Sequence, residues 1–219
     1  MATNDFLHYL ATYTNGHENP DRIPSLVQIS AEQGISVAKL REQLGGARAL
    51  GLVDVRPKTG ITRKPYRFAP PVTESLLYAV ARDRANFAAF ADLRIRLETA
   101  YWPEAVAALT PADHAVLQQL MARAWDELNG DPIIIPHPEH RQLHMTIFSR
   151  LENPFVQGLL EAYWNAYEAV ELSSYADISY LRAVWQFHQD IVDAICAGDA
   201  GASLAAFESH TQLLRTRSN

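Results

Sequence analysis

A single cysteine, Cys196, in 219 residues leaves no partner for an intrachain disulfide, which excludes a small cystine-stapled scaffold. Long apolar runs are missing too. Stretches such as Ile133–Ile135 and Ala105–Leu109 fall far short of the roughly 20 residues that span a bilayer. The opening MATNDFLHYL lacks the charged and apolar regions of a signal peptide. These absences lead us to expect a soluble, cytoplasmic chain with no membrane partner. No fixed-period repeat and no low-complexity tract occurs. There is also no HExxH, and no histidine of the C-terminal two thirds has Glu three residues before it, as a ferritin-like di-iron site requires. With no Ser/Cys/His nucleophile set evident, the chain is expected not to be an enzyme.

The length suits two modest domains, each able to bury a core. Charge separates them. Residues 1–70 carry a net +3, while the remainder carries −9, giving −6 overall. Histidine is uneven as well: His114, His137, His140, His144, His188 and His210 all lie in the acidic part. A boundary falls at Phe68–Thr73, where Pro70-Pro71 precede a Thr73 placed to cap a helix from Glu74. The expected domains are therefore 1–70 and 71–219.

The front segment reads as helix, turn, helix and wing. Ser25–Gln33 forms a short helix, Gly34-Ile35 a turn, and Ser36–Leu44 a second helix capped by Ser36. Leu50–Arg56 and Ile61–Phe68 read as two strands about a Pro57–Gly60 turn. Ser36, Lys39, Arg41, Arg48, Lys58, Gly60 and Arg63 lie on or just after the second helix or on the wing, where phosphates and base edges of double-stranded DNA would be met. A chance helix-turn-helix pattern with no such role is the alternative.

After residue 73 nearly everything has helical periodicity, so the fold class is mainly α: a winged helix-turn-helix followed by an all-α antiparallel bundle. Leu93, Leu97, Tyr101, Ala105 and Ala108 form one stripe, kinked at Pro103. Thr110-Pro111-Ala112-Asp113 restarts a helix with Thr110 as cap. Further helices are expected over Glu139–Leu151, after Asn153-Pro154, from Ile178, and over Ala200–Leu214.

Four histidines carry the chemistry. His140 and His144 share a helix face, four residues apart. His188 sits in an apolar stripe, and His210 shares its face with Ala206 and Phe207. Three helices thus turn imidazoles inward, where an isolated polar group costs free energy unless paired or coordinated. One divalent transition metal would satisfy all four; hydrogen-bonded core histidines are the alternative. Imidazole ligands suit zinc first, with nickel, copper or iron behind it.

The run SVAKLREQL from Ser36, followed by Leu50–Val53 and the Gly60 wing, resembles the winged helix of GntR-type bacterial regulators. Where family members commonly show Ser-Arg-Thr-Pro-Val-Arg, this chain keeps Ser36 and Arg41. The back half is similar to their FadR-like ligand-binding domain, FCD. Its marks are Arg94–Glu98 (RIRLE), His144 nine residues before Asn153-Pro154, and His188–Asp199 leading to His210. The resemblance implies a metal site with open positions that hold a small carboxylate effector. His140 stands where the family usually has Asp. Arg94 and Asn153 match positions at the effector pocket. From the residues alone, Arg94 equally suits an ion pair with Glu98, and Asn153 a helix end.

These readings converge on a homodimeric transcription regulator, a repressor, that binds operator DNA and senses a small carboxylate at the histidine-rich metal site. Dimerisation follows from the two half-sites that a weak single module needs. A metal-dependent helical-bundle enzyme, or a sensor with degenerate DNA binding, are the alternatives.

Overall fold

The computed structural model describes residues 5–14, 20–57, 59–171 and 177–217. The chain divides into two compact units, Met1–Pro71 and Val72–Asn219.

The first unit runs α1 (Asp5–Thr12), β1 (Arg22–Ile23), α2 (Leu26–Gln33), α3 (Val37–Ala49), β2 (Val53–Arg56) and β3 (Gly60–Arg63). Local chemistry sets the helix-turn-helix. Ser25 Oγ accepts the Gln28 backbone N–H while the Gln28 side chain accepts from the Ser25 N–H, a capping box that starts α2. Gly34 ends it in the left-handed region, φ 67°, donating its N–H to Ser30 O. Ser36 Oγ then accepts the Lys39 N–H and starts α3. That helix runs to Ala49 rather than Leu44; Ala47, fully buried, anchors its last turns despite Gly45 and Gly46. The strands are shorter than their expected spans. β3 lies between β1 and β2, antiparallel to both, with Ile61 opposite Val55 on one side and Ile23 on the other. Neither α1 nor β1 is among the expected elements, yet Phe6, Tyr9 and Leu10 of α1 close the core over Ile29, Leu40, Val53 and Ile61.

Arg63 is not turned outward as its place on the wing suggests. Its Nη1 donates to the carbonyls of Leu10 at 2.8 Å and Tyr13 at 3.2 Å, and its Nη2 to that of Pro20 at 3.1 Å. Its Nε lies 3.6 Å from Asp21. A guanidinium so engaged ties α1, the segment before β1 and the wing together, which makes it a structural residue of this unit.

The helical part consists of α4 (Ala69–Arg82), α5 (Ala85–Ala107), α6 (Pro111–Asn129), α7 (His137–Ile147), α8 (Pro154–Glu171), α9 (Ile178–Cys196) and α10 (Ala200–Arg217). α4 starts at Ala69, not Glu74, because Pro70 and Pro71 fit a first turn whose N–H groups need no intrahelical acceptor. Thr73 does not cap it; its Oγ1 accepts from Asn165 Nδ2 at 3.2 Å and joins α4 to α8. α5 passes through Pro103 on its exposed side without ending. α6 begins as its sequence indicates, with Thr110 and Asp113 in a reciprocal capping box. Arg150 grips Asp113 with both ends of its fork, each at 2.9 Å, and holds the segment after α7 to the start of α6. α9 and α10 pack along one another across the Gly198 turn, φ 77°.

The main core gathers under α5, α6 and α9. Trp102 stacks on Phe207 at 4.5 Å between ring centroids, meets Phe148 edge-on at 5.7 Å, and donates its indole N–H to Ser203 at 2.9 Å. The buried face of α5 is Phe87, Arg94, Glu98, Trp102 and Ala105. That face shares Ala105 with the expected stripe, whose Leu97 and Tyr101 pack against the core only partly buried, while Leu93 is 45% exposed.

Candidate metal centre

Four imidazoles meet inside this helical unit. α7 supplies His140 and His144, α9 supplies His188 and α10 supplies His210, and one nitrogen from each lies within 4.8 Å of the other three. The helices bring them there by ordinary means. His188 shares the buried face of α9 with Val184, Trp185, Ile191, Val192 and Ile195. His210 follows Ser203 and Phe207 along the buried side of α10. His144, His188 and His210 are fully buried, whereas His140 keeps some surface with its Nε2 enclosed. Aromatic rings wall the cluster: Trp164 is 4.8 Å from His140, and Trp185 is 5.0 Å from His188.

Burial holds the His140, His188 and His210 rings well below the usual imidazole range, and neighbouring histidines and Arg94 add to the effect. His144 is lowered by burial as well, against the opposing pull of Glu98. At neutral pH all four are uncharged and carry lone pairs, the state in which imidazole binds metal. The same shifts predict acid sensitivity for protein stripped of metal. The unfolded chain takes up protons near pH 6.5 that these folded rings refuse, so stability falls as pH drops below that value, by up to about 1.4 kcal/mol per pH unit for each histidine. Chelator-treated protein should melt progressively lower from pH 7 to 5.5; a flat melting temperature would contradict buried neutral rings.

The donor set can be tested against a metal directly. Among the described residues, His140 Nε2, His188 Nδ1 and both nitrogens of His210 are buried without a hydrogen-bond partner. Leaving such a group unsatisfied costs about 1–3 kcal/mol. An ion takes one nitrogen from each ring and so relieves part of this cost, and an all-nitrogen set suits zinc, nickel, copper or iron over magnesium or calcium. The residues fit a transition metal.

Behind the cluster lies a pair that the hydrophobic pattern conceals. Glu98 is fully buried on α5, with Oε1 3.2 Å from His144 Nδ1 and Oε2 3.1 Å from Arg94 Nε. Burial works to raise its carboxyl, but the charge of Arg94 and the contact with His144 hold it below the usual carboxylate range. The Arg94 guanidinium, only 3% exposed, lies 4.4 Å above the Tyr163 ring and 5.6 Å from that of Trp164. The i,i+4 ion pair is present, then, as an interior feature rather than a surface one. Trp164 Nε1 is also buried without a partner.

Asn153 stands at the start of α8. Its Oδ1 accepts the backbone N–H groups of Phe155 at 3.0 Å and Val156 at 3.4 Å, and its Nδ2 faces the Tyr101 hydroxyl at 3.5 Å. Its side chain is thus engaged in capping. In the first unit, Lys39 and Arg41 are exposed in the early turns of α3, and Arg48 is exposed in its last turn. Ser36 caps α3, and Gly60 supplies the positive φ, 81°, of the wing turn. Lys58 lies outside the described residues.

A family model described as the FCD domain matches residues 89–213, a span that includes Arg94, Glu98 and all four histidines. The structure of Streptococcus agalactiae GntR is similar at 20% identity and a TM-score of 0.68, covering 99% of this chain and 98% of that one. E. coli McbR/YncC is similar at 21% identity and a TM-score of 0.51, with 99% and 96% covered. No curated protein matches the chain. At these identities the structural likeness is one of fold, while the family match extends over more than half of the sequence. The chain therefore belongs to the FCD domain family and has the fold of GntR-type regulators.

Proposed function

We propose that the protein is a DNA-binding transcription regulator, a cytoplasmic homodimer, whose helical unit senses a small carboxylate on a divalent metal held by His140, His144, His188 and His210. The observation that carries this reading is the convergence of four neutral imidazoles from three helices on one buried point. No carboxylate belongs to that donor set. Arg94 and Glu98 offset each other in charge, so a divalent ion there would keep its full charge and call for an anion. A bound ion would offer such an anion open coordination positions. Among the described residues, no helix is long and apolar enough to cross a membrane. Calorimetry of zinc-loaded protein against mono-, di- and tricarboxylates tests the sensor; saturable binding of at least one is expected, and none at millimolar concentration would overturn it.

The DNA-binding half rests on α3, which begins directly after a turn from α2 and exposes Lys39 and Arg41 near its start. In a helix-turn-helix those positions enter the major groove. Selection from a random duplex pool should enrich a two-fold symmetric site. Arg41→Ala should weaken binding to it and, if Arg41 meets a phosphate, reduce the slope of log affinity against log salt by about 1. Arg63→Ala should instead destabilise the winged unit, since its guanidinium holds three carbonyls of that unit. Unchanged DNA affinity in Arg41→Ala, in protein that folds normally, would displace α3 as the reading helix.

A further inference from the structure

We propose that Glu98 is the positioning residue of the four-histidine centre, fixing the proton of His144 on Nδ1 so that its Nε2 lone pair faces the other imidazoles. The inference rests on the metal reading above and adds to it a residue outside the ligand set.

An ionised carboxylate only accepts hydrogen bonds. Glu98 Oε1 is 3.2 Å from His144 Nδ1, with both side chains buried. The proton must therefore sit on Nδ1, which leaves Nε2 bare. That Nε2 lies 3.3 Å from His188 Nε2. Two lone pairs do not bond, so in the metal-free protein the His188 proton sits on its Nε2. Its Nδ1 is then a bare acceptor, and this is the His188 atom found buried without a partner. The hydrogen bonds run one way, from His188 to His144 to Glu98.

A purely structural Arg–Glu pair would look different. A buried carboxylate satisfied by arginine commonly takes the guanidinium fork through two aligned bonds. Here Arg94 Nε approaches Glu98 Oε2 at 3.1 Å, but neither atom makes an aligned hydrogen bond. The hydrogen bond of this carboxylate goes to a histidine on another helix. Arg94 supplies charge from behind, and Glu98 directs His144. A carboxylate behind a ligand histidine is the general means by which proteins set imidazole orientation and raise its basicity at a metal.

The test begins with protein that is metal-free and otherwise unaltered. Nitrogen-15 NMR of its histidines should show His144 protonated on Nδ1 and His188 on Nε2; a His144 proton on Nε2 would overturn the proposal. Zinc titration then compares variants shown to be folded. Glu98→Gln keeps an acceptor oxygen and should retain the tautomer, with affinity reduced only several-fold. The double variant Arg94→Met/Glu98→Leu removes both charges together and should mix the His144 tautomers and weaken zinc binding about 10- to 100-fold. Affinity in the double variant equal to that of the unmodified protein would also overturn the proposal. Failure of the metal reading is distinguishable, because it would appear as no zinc uptake by the unmodified protein while the tautomer measurement still judges Glu98.

Discussion

Removing divalent metal from the purified protein should lower the melting temperature of its helical unit by about 10 °C, and returning zinc should restore it. An ion that binds the folded state alone stabilises it by RT ln(1 + [L]/Kd), about 4 kcal/mol at a thousand-fold excess over Kd. For a chain of this size each kcal/mol moves the transition by about 2–4 °C. The structure gives reason to expect tight binding, because the donors are already gathered within 4.8 Å and four of their nitrogens are buried without partners. His188→Ala and His210→Ala should abolish the zinc-dependent shift. Without metal, His210→Ala should cost less stability than His188→Ala, since both His210 nitrogens lack a partner whereas His188 is hydrogen-bonded to His144. Elemental analysis should give roughly one metal per chain, falling towards zero in either variant. A melting temperature indifferent to chelator and zinc would mean that the four rings form a neutral core cluster.

How much of this was legible in the sequence depends on the kind of signal. Capping is local chemistry, so Ser36, and Thr110 with Asp113, mark helix starts that the structure places at the same residues, whereas Thr73 lies inside a helix that Pro70 and Pro71 let begin earlier. The four histidines were legible because their neighbours at helical spacing are apolar, which indicates an inward face whatever the partner helix. α5 was misread for the converse reason. Its interior face carries Arg94 and Glu98, and a search for apolar spacing settles instead on Leu93, Leu97 and Tyr101, one position away and partly solvent-facing. The signal that would have corrected it is Trp102, four residues after Glu98 and the largest fully buried side chain on that helix. A basic residue on a wing has two uses, and the structural one of Arg63 depends on carbonyl partners more than 40 residues away, which no local pattern reveals. Phe6, Tyr9, Leu10 and Tyr13 have helical spacing, but the signal for α1 covers only eight residues of helix.

Arg94→Met should destabilise the helical unit by about 3–5 kcal/mol, the usual consequence of removing one partner from a buried ion pair. The size follows from what remains. Glu98 is fully enclosed, and without Arg94 its charge is left with the single hydrogen bond from His144. The carboxylate must then stay ionised in an apolar interior, take up a proton, or draw one onto His144, and each course departs from the arrangement that favours folding. Pairing the change with Glu98→Leu should recover most of the loss, because two matched apolar side chains need no solvation. Equilibrium unfolding in urea across the two single variants and the double variant supplies the coupling energy. A coupling near zero, or a loss below about 1 kcal/mol in Arg94→Met, would mean that solvent reaches the pair and frees Arg94 to hold an effector carboxylate itself. A large coupling makes Arg94 part of the frame behind His144, and the effector would then owe its affinity chiefly to the metal that the four imidazoles present.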